Sequence, residues 1–131
     1  MNQNNEKKIL VVEDDPNVNR FLRYLLEKHG YEIEVATDGP ESLEKVKKLK
    51  PRLVLLDIRL PGVSGLEVCR AIKADPELKS TYVIMLTASV SDLDREKGLI
   101  AGADEYMTKP FHIKELVERL QELFYSSSRH S

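Results

Sequence analysis

Three short apolar runs constrain this chain more than anything else in it: residues 9–12, 53–56 and 82–86, each breaking off at a polar side chain. Continuous runs of this length are what strands covered on both faces require. Residues 32–37 alternate apolar and polar, which is the strand period, and residues 105–108 make a shorter fifth run. Helical patterns separate them. Asp15 and Pro16 read as an N-cap followed by proline at the first helical position. Val18, Phe21, Leu22, Leu25 and Leu26 then recur at helical spacing and are predicted to face inward, up to a stop at Gly30. Gly39 and Pro40 open a second helix, with Leu43 and Val46 inward and the lysines of 45–50 solvated, and Pro51 ends it. Ser64 stands three residues before Glu67, the spacing of a capping box, and Leu66, Cys69 and Ile72 follow as an inward face. Ser91 with Asp94 starts a fourth helix that closes at Gly102, and Leu116, Val117, Leu120, Leu123 and Phe124 stripe a fifth. Strands alternating with helices predict a parallel sheet with helices on both faces.

At 131 residues the chain has the size of one domain. The expected division is a flexible arm over 1–7, the folded domain over 8–125 and a polar tail or linker over 126–131. The net charge of −2, with Lys and Arg dispersed, provides no basic stripe for nucleic acid. The apolar runs are too short to span a bilayer, and residues 1–8 do not form a signal peptide. Cys69 is alone, so no internal disulfide is possible, which fits a reducing cytoplasm.

Ligands of an open parallel sheet sit at the carboxyl ends of its strands. There the sequence places Glu13, Asp14 and Asp15 after the first strand, Asp57 after the third, Thr87 after the fourth and Lys109 after the fifth. Thr37 and Asp38 end the second, which is predicted at an edge. Carboxylates gathered at one rim repel each other. A hard divalent cation removes that penalty, and Mg²⁺ takes oxygen ligands while sharing its shell with phosphate. Thr87 can donate to a phosphoryl oxygen and Lys109 can neutralise another. A carboxylate set between them is placed to act as a nucleophile toward phosphorus.

Four stretches carry a resemblance: ILVVEDD at 9–15, LLDIRLPG at 55–62, LTA at 86–88 and GADEYMTKPF at 102–111. Through them the chain resembles the receiver domain of two-component response regulators, and is nearest in flavour to the winged-helix transcription-factor branch. The resemblance implies a flavodoxin-like, doubly wound five-stranded α/β sheet of strand order 2-1-3-4-5. It implies Asp57 as phosphoacceptor, with Thr87 and Lys109 assisting transfer. It implies Mg²⁺ held by Glu13, Asp14, Asp57 and the backbone carbonyl of Arg59. Thr87 and Tyr106 would form the switch, Tyr106 turning inward on activation. The Lys109–Pro110 bond is similar to one that is usually cis in the family. The implied partner is a histidine kinase or phosphotransfer protein. Arg95, Asp104, Glu105, Glu115 and Arg119 resemble a charged set through which related receivers form homodimers on phosphorylation.

Each residue also has a plainer reading. Aspartate commonly begins turns, and Asp15 is read as a cap. The histidines at 29, 112 and 130 lack metal spacing, and Cys69 on an apolar face reads as core. Two departures from the family pattern stand beside the site. Arg59 places a cation within reach of an acid such as Glu13, and Ser89 stands two positions after Thr87; together they bear on how long a phosphoryl group persists. Three rival readings are weaker. A haloacid-dehalogenase-type phosphohydrolase needs an acid at position 59. A flavin carrier needs a hydroxyl-rich loop where residues 13–15 are acidic. A receiver-like module that is never phosphorylated needs no intact set of rim residues.

Overall fold

A computed structural model describes residues 7–87, 92–108 and 113–129. Five strands, β1 (Lys8–Val12), β2 (Glu32–Ala36), β3 (Leu53–Asp57), β4 (Tyr82–Thr87) and β5 (Glu105–Thr108), alternate with α1 (Pro16–Lys28), α2 (Gly39–Leu49), α3 (Gly65–Ala74), α4 (Asp92–Ile100) and α5 (Ile113–Arg129). All pairings are parallel and the order is β2-β1-β3-β4-β5. The fold is therefore the doubly wound α/β sheet expected from the sequence. The last helix runs to Arg129, into the serine stretch set apart above as a tail.

Strand side chains alternate between faces, and two cores follow. Ile9, Val11, Leu53, Leu55, Ile84 and Leu86 pack against Leu22 and Leu26 of α1 and Leu116, Leu120 and Phe124 of α5. Leu10, Val12, Val54, Leu56, Val83 and Met85 face Val46 of α2 and Val68, Cys69 and Ile72 of α3. β3 lies at the centre and every one of its residues is buried. Helix starts follow the sequence. Asp15 accepts from the Asn17 amide at 2.8 Å, Asp38 from Glu41 at 2.7 Å, and Ser64 from Glu67 at 3.3 Å.

One helical face differs from expectation. Phe21, predicted inward, is 53% exposed, and α1 buries Asn19, Leu22 and Leu26 instead. Val18 and Leu25 are half-buried and pack against the same core, so four of the five apolar positions at 18, 21, 22, 25 and 26 do face the sheet. The helix rotates so that Leu22 and Leu26 centre the contact, and Phe21 is left at the margin.

Candidate functional site

The register decides which polar groups meet. Val12 lies beside Leu56, so Glu13 and Asp57 leave neighbouring strands at the same level. Asp57 pairs with Leu86, which puts the Thr87 backbone one residue further along the same rim. One carboxylate oxygen from each of Glu13, Asp14 and Asp57 lies within 4.8 Å of the others. Glu13 and Asp57 are buried, at 5% and 9% exposure, while Asp14 faces solvent.

Each acid is held differently. The Glu13 amide donates to the Ala36 carbonyl at 3.0 Å, and its Oε2 accepts from the Asp15 amide at 3.2 Å. The Glu13 carbonyl accepts from Asn19 Nδ2. Asp57 Oδ1 accepts from the Arg59 amide at 3.2 Å. Behind Asp57 the start of α3 closes tightly: the Gly65 amide donates to the Ile58 carbonyl at 2.7 Å. A cleft of about 590 Å³ opens beside the acids, lined by Asp14, Arg59, Leu60, Pro61 and Ser64. A larger one, about 800 Å³, lies at the opposite rim among Lys7, His29, Tyr31 and Phe124, away from the acids.

Three carboxylates brought this close, two of them buried, constitute an all-oxygen donor set. That set fits a hard divalent cation such as Mg²⁺, whose charge offsets their mutual repulsion. The Arg59 side chain is exposed and forms no ion pair with Glu13 or any other acid among the described residues, contrary to the pairing considered above. The side chains of Thr87 and Arg95, together with Ser89, Lys109 and Pro110, lie outside the described residues. Tyr106 is half-buried, and its ring packs directly over Gly98 of α4. Cys69 is core, and burial pushes its thiol up to about 11.

Most of the described charged set is engaged within the chain. Asp104 Oδ2 accepts from Lys73 Nζ at 2.8 Å and from the Val83 amide at 2.8 Å. Glu105 takes two bonds from Arg119 Nε, at 2.9 and 2.7 Å, an ion pair to its Nη2 at 2.6 Å, and a bond from the Tyr82 hydroxyl. Burial raises the Glu105 pKa, but the bonds from Arg119 and Tyr82 and the guanidinium charge outweigh that and hold it below the usual value. Glu115 is exposed. Sequence spacing does not foretell these pairings, because they join side chains from α3, β4, β5 and α5 that are far apart along the chain. Asn19 was also missed. The signal for it was a polar residue three before Leu22 and seven before Leu26, inside the buried stripe.

Residues 9–121 match the family described as the response regulator receiver domain. The chain belongs to that family. This receiver domain is 43% identical over 131 residues to the transcriptional regulatory protein ResD of Bacillus subtilis, covering all of this chain and 53% of that protein. It is 44% identical over 115 residues to the DNA-binding response regulator MtrA of Mycolicibacterium smegmatis, covering 88% of this chain and 49% of that one. The receiver domain thus spans about half the length of these curated relatives. Among solved structures it is similar to the BeF3-activated N-terminal receiver domain of Klebsiella pneumoniae RstA. That match has a TM-score of 0.83 at 34% identity and covers 89% of this chain and 97% of that one. No described helix is long and apolar enough to cross a membrane.

Proposed function

We propose that this receiver domain accepts a phosphoryl group on Asp57 from a phosphohistidine on a histidine kinase or phosphotransfer protein in the cytoplasm, and that Mg²⁺ is required. The observation that carries the reading is the convergence of Glu13, Asp14 and Asp57 at the carboxyl ends of β1 and β3 in a receiver fold. Asp14, Asp57 and the Arg59 carbonyl would hold the metal, with Glu13 acting through water. The metal's charge would draw density from the phosphoryl oxygens during transfer.

The chain's own residues account for the rest. The Arg59 amide donates to Asp57 Oδ1 at 3.2 Å, which helps orient the carboxylate that is proposed to attack phosphorus in line. As the O–P bond forms, the P–N bond of the donor breaks and its electron pair returns to the imidazole. Thr87 and Lys109 are proposed to bind two of the remaining phosphoryl oxygens. Drawing Thr87 toward the new dianion opens room beside Tyr106, whose inward turn would reshape the face made by α4, β5 and α5. In this role the domain is a phosphoacceptor rather than a conventional enzyme. The names of ResD and MtrA support transcriptional control as the output.

The test is phosphorylation by acetyl phosphate with Mg²⁺, read by intact-protein mass. Parent protein gains one phosphoryl group, whereas Asp57→Asn and EDTA-treated parent gain none; a modified Asp57→Asn would sink the assignment. A homodimer formed on phosphorylation is a second proposal, favoured by Leu99 and Ile100 of α4, exposed at 51% and 74%. Sedimentation with and without beryllofluoride tests it, and a monomer in both conditions refutes it.

A further inference from the structure

The buried stripe of α1 is Asn19, Leu22 and Leu26. Two of these are what an amphipathic helix lays against a sheet. The third is an amide only 5% exposed. Its Nδ2 donates to the Glu13 carbonyl at 2.5 Å. Its Oδ1 is buried and has no hydrogen-bond partner among the described residues. Leaving an acceptor buried and unpaired is costly, so packing alone favours an apolar residue here. The bond to Glu13 is what the amide supplies and an apolar side chain would not.

That bond acts on more than Glu13. The accepting carbonyl belongs to the planar peptide joining Glu13 to Asp14. Glu13 is already tied through its amide to Ala36 and through its carboxylate to the Asp15 amide. Asp14 has no comparable tie: its exposed carboxylate makes no hydrogen bond among the described residues. The backbone that carries it therefore sets the base from which that carboxylate reaches the cluster. Fixing the Glu13–Asp14 peptide plane fixes where the Asp14 α-carbon sits, and with it the set of positions the carboxylate can reach by side-chain rotation.

We infer that Asn19 is a positioning residue for the acidic pair, setting the spacing of Glu13 and Asp14 toward Asp57 and hence the affinity of the cluster for a divalent cation. The inference rests on the reading of that cluster as a Mg²⁺ site. Outer groups that orient metal ligands characteristically change affinity by about tenfold or more when removed.

The test uses the whole chain, with Mg²⁺ titrated by calorimetry into parent, Asn19→Ala, Asn19→Ser and Val117→Ala. In Asn19→Ser the hydroxyl can satisfy itself on the Asp15 carbonyl one turn back. Val117→Ala loosens the core on α5 without touching Glu13. Both Asn19 variants are expected to bind Mg²⁺ about tenfold more weakly, and Val117→Ala to bind like the parent. Without metal, the Glu13 carbonyl ¹³C resonance should move upfield in both Asn19 variants and stay in place in Val117→Ala. Unchanged Mg²⁺ affinity in the Asn19 variants overturns the inference, as does equal weakening in Val117→Ala. A parent protein that binds no Mg²⁺ overturns the reading of the cluster itself, and the inference with it.

Discussion

Replacing Gly65 by alanine would press on the residue proposed to carry the phosphoryl group without altering any charge. The backbone of Gly65 starts α3 directly beneath the end of β3. A β-carbon there would lie 2.0 Å from the Asp57 carbonyl oxygen, 2.8 Å from the Ile58 α-carbon and 2.9 Å from the Asp57 carbonyl carbon. All three are backbone atoms, so no flexible side chain can swing aside. Real β-carbon contacts do not fall below 3.0 Å, so the helix start and the strand end must part by about 1 Å. A close-packed interior has no void to absorb that movement. The cost is expected at the upper end of overpacking, about 3 kcal/mol. The Asp57 carboxylate would shift against Glu13 and Asp14 by a similar amount, and such a misplacement slows a positioned reaction by about 100-fold. Urea unfolding followed by circular dichroism measures the first effect, and the rate of modification by acetyl phosphate measures the second. Gly30→Ala is the control. It meets no atom within 4 Å but sits at φ +92°, so it should lose about 1–2 kcal/mol of stability while phosphorylating at the parent rate. Should Gly65→Ala unfold within about 0.5 kcal/mol of the parent and be modified as fast, the steric reasoning is wrong.

Three further outcomes follow from the packing. A double-mutant cycle on Glu105 and Arg119 should give a coupling of about 1 kcal/mol at neutral pH, modest because both groups are partly exposed. The Glu105 pKa is lowered on folding, so that contribution is present above the unfolded value of 4.5 and is lost as pH falls through the folded value; coupling that persists in acid would contradict it. Burial, then the bond to Glu105 and its charge, raise Tyr82 from 10.0 to about 12. Thermal melting should therefore lose stability between those two pH values in the parent, and the loss should be smaller in Tyr82→Phe, where the raised Tyr31 and Cys69 remain. On α1, Leu22→Ala should cost about 2–5 kcal/mol and Phe21→Ser less than about 0.5 kcal/mol. Denaturant midpoints that rank the two the other way would restore the inward orientation of Phe21.

Strands β1, β3 and β4 were legible because each is short, apolar and ended by a polar group that marks the rim, and β2 by its alternation. Asp15–Pro16 and Ser64 mark two helix starts by their own chemistry, so those boundaries were readable too. The meeting of Glu13, Asp14 and Asp57 needed only the rule that parallel strands present their carboxyl ends together. What could not be read was anything that depends on rotation or reach across the sheet. Phe21 and Asn19 exchange roles because burial selects part of a wide apolar arc, and periodicity does not say which part. Arg59 was weighed as a partner for Glu13 by nearness in the fold, yet its side chain points to solvent. Glu105 meets Arg119 and Tyr82 through side chains from three elements, and their sequence separation carries no information about that geometry.

The engagement of Glu105 by Arg119 and Tyr82 changes what any docking on this face amounts to. A partner offering a cation to Glu105 or an anion to Arg119 does not create an ion pair; it exchanges one for another. Such a swap conserves the number of charge contacts and is close to isoenergetic, so it selects the right partner and angle without supplying much attraction. The net driving force must then come from apolar surface that is still wet, and on α4 that surface is Leu99 and Ile100. A complex built this way should be insensitive to salt in its strength and sensitive to charge reversal in its choice of partner.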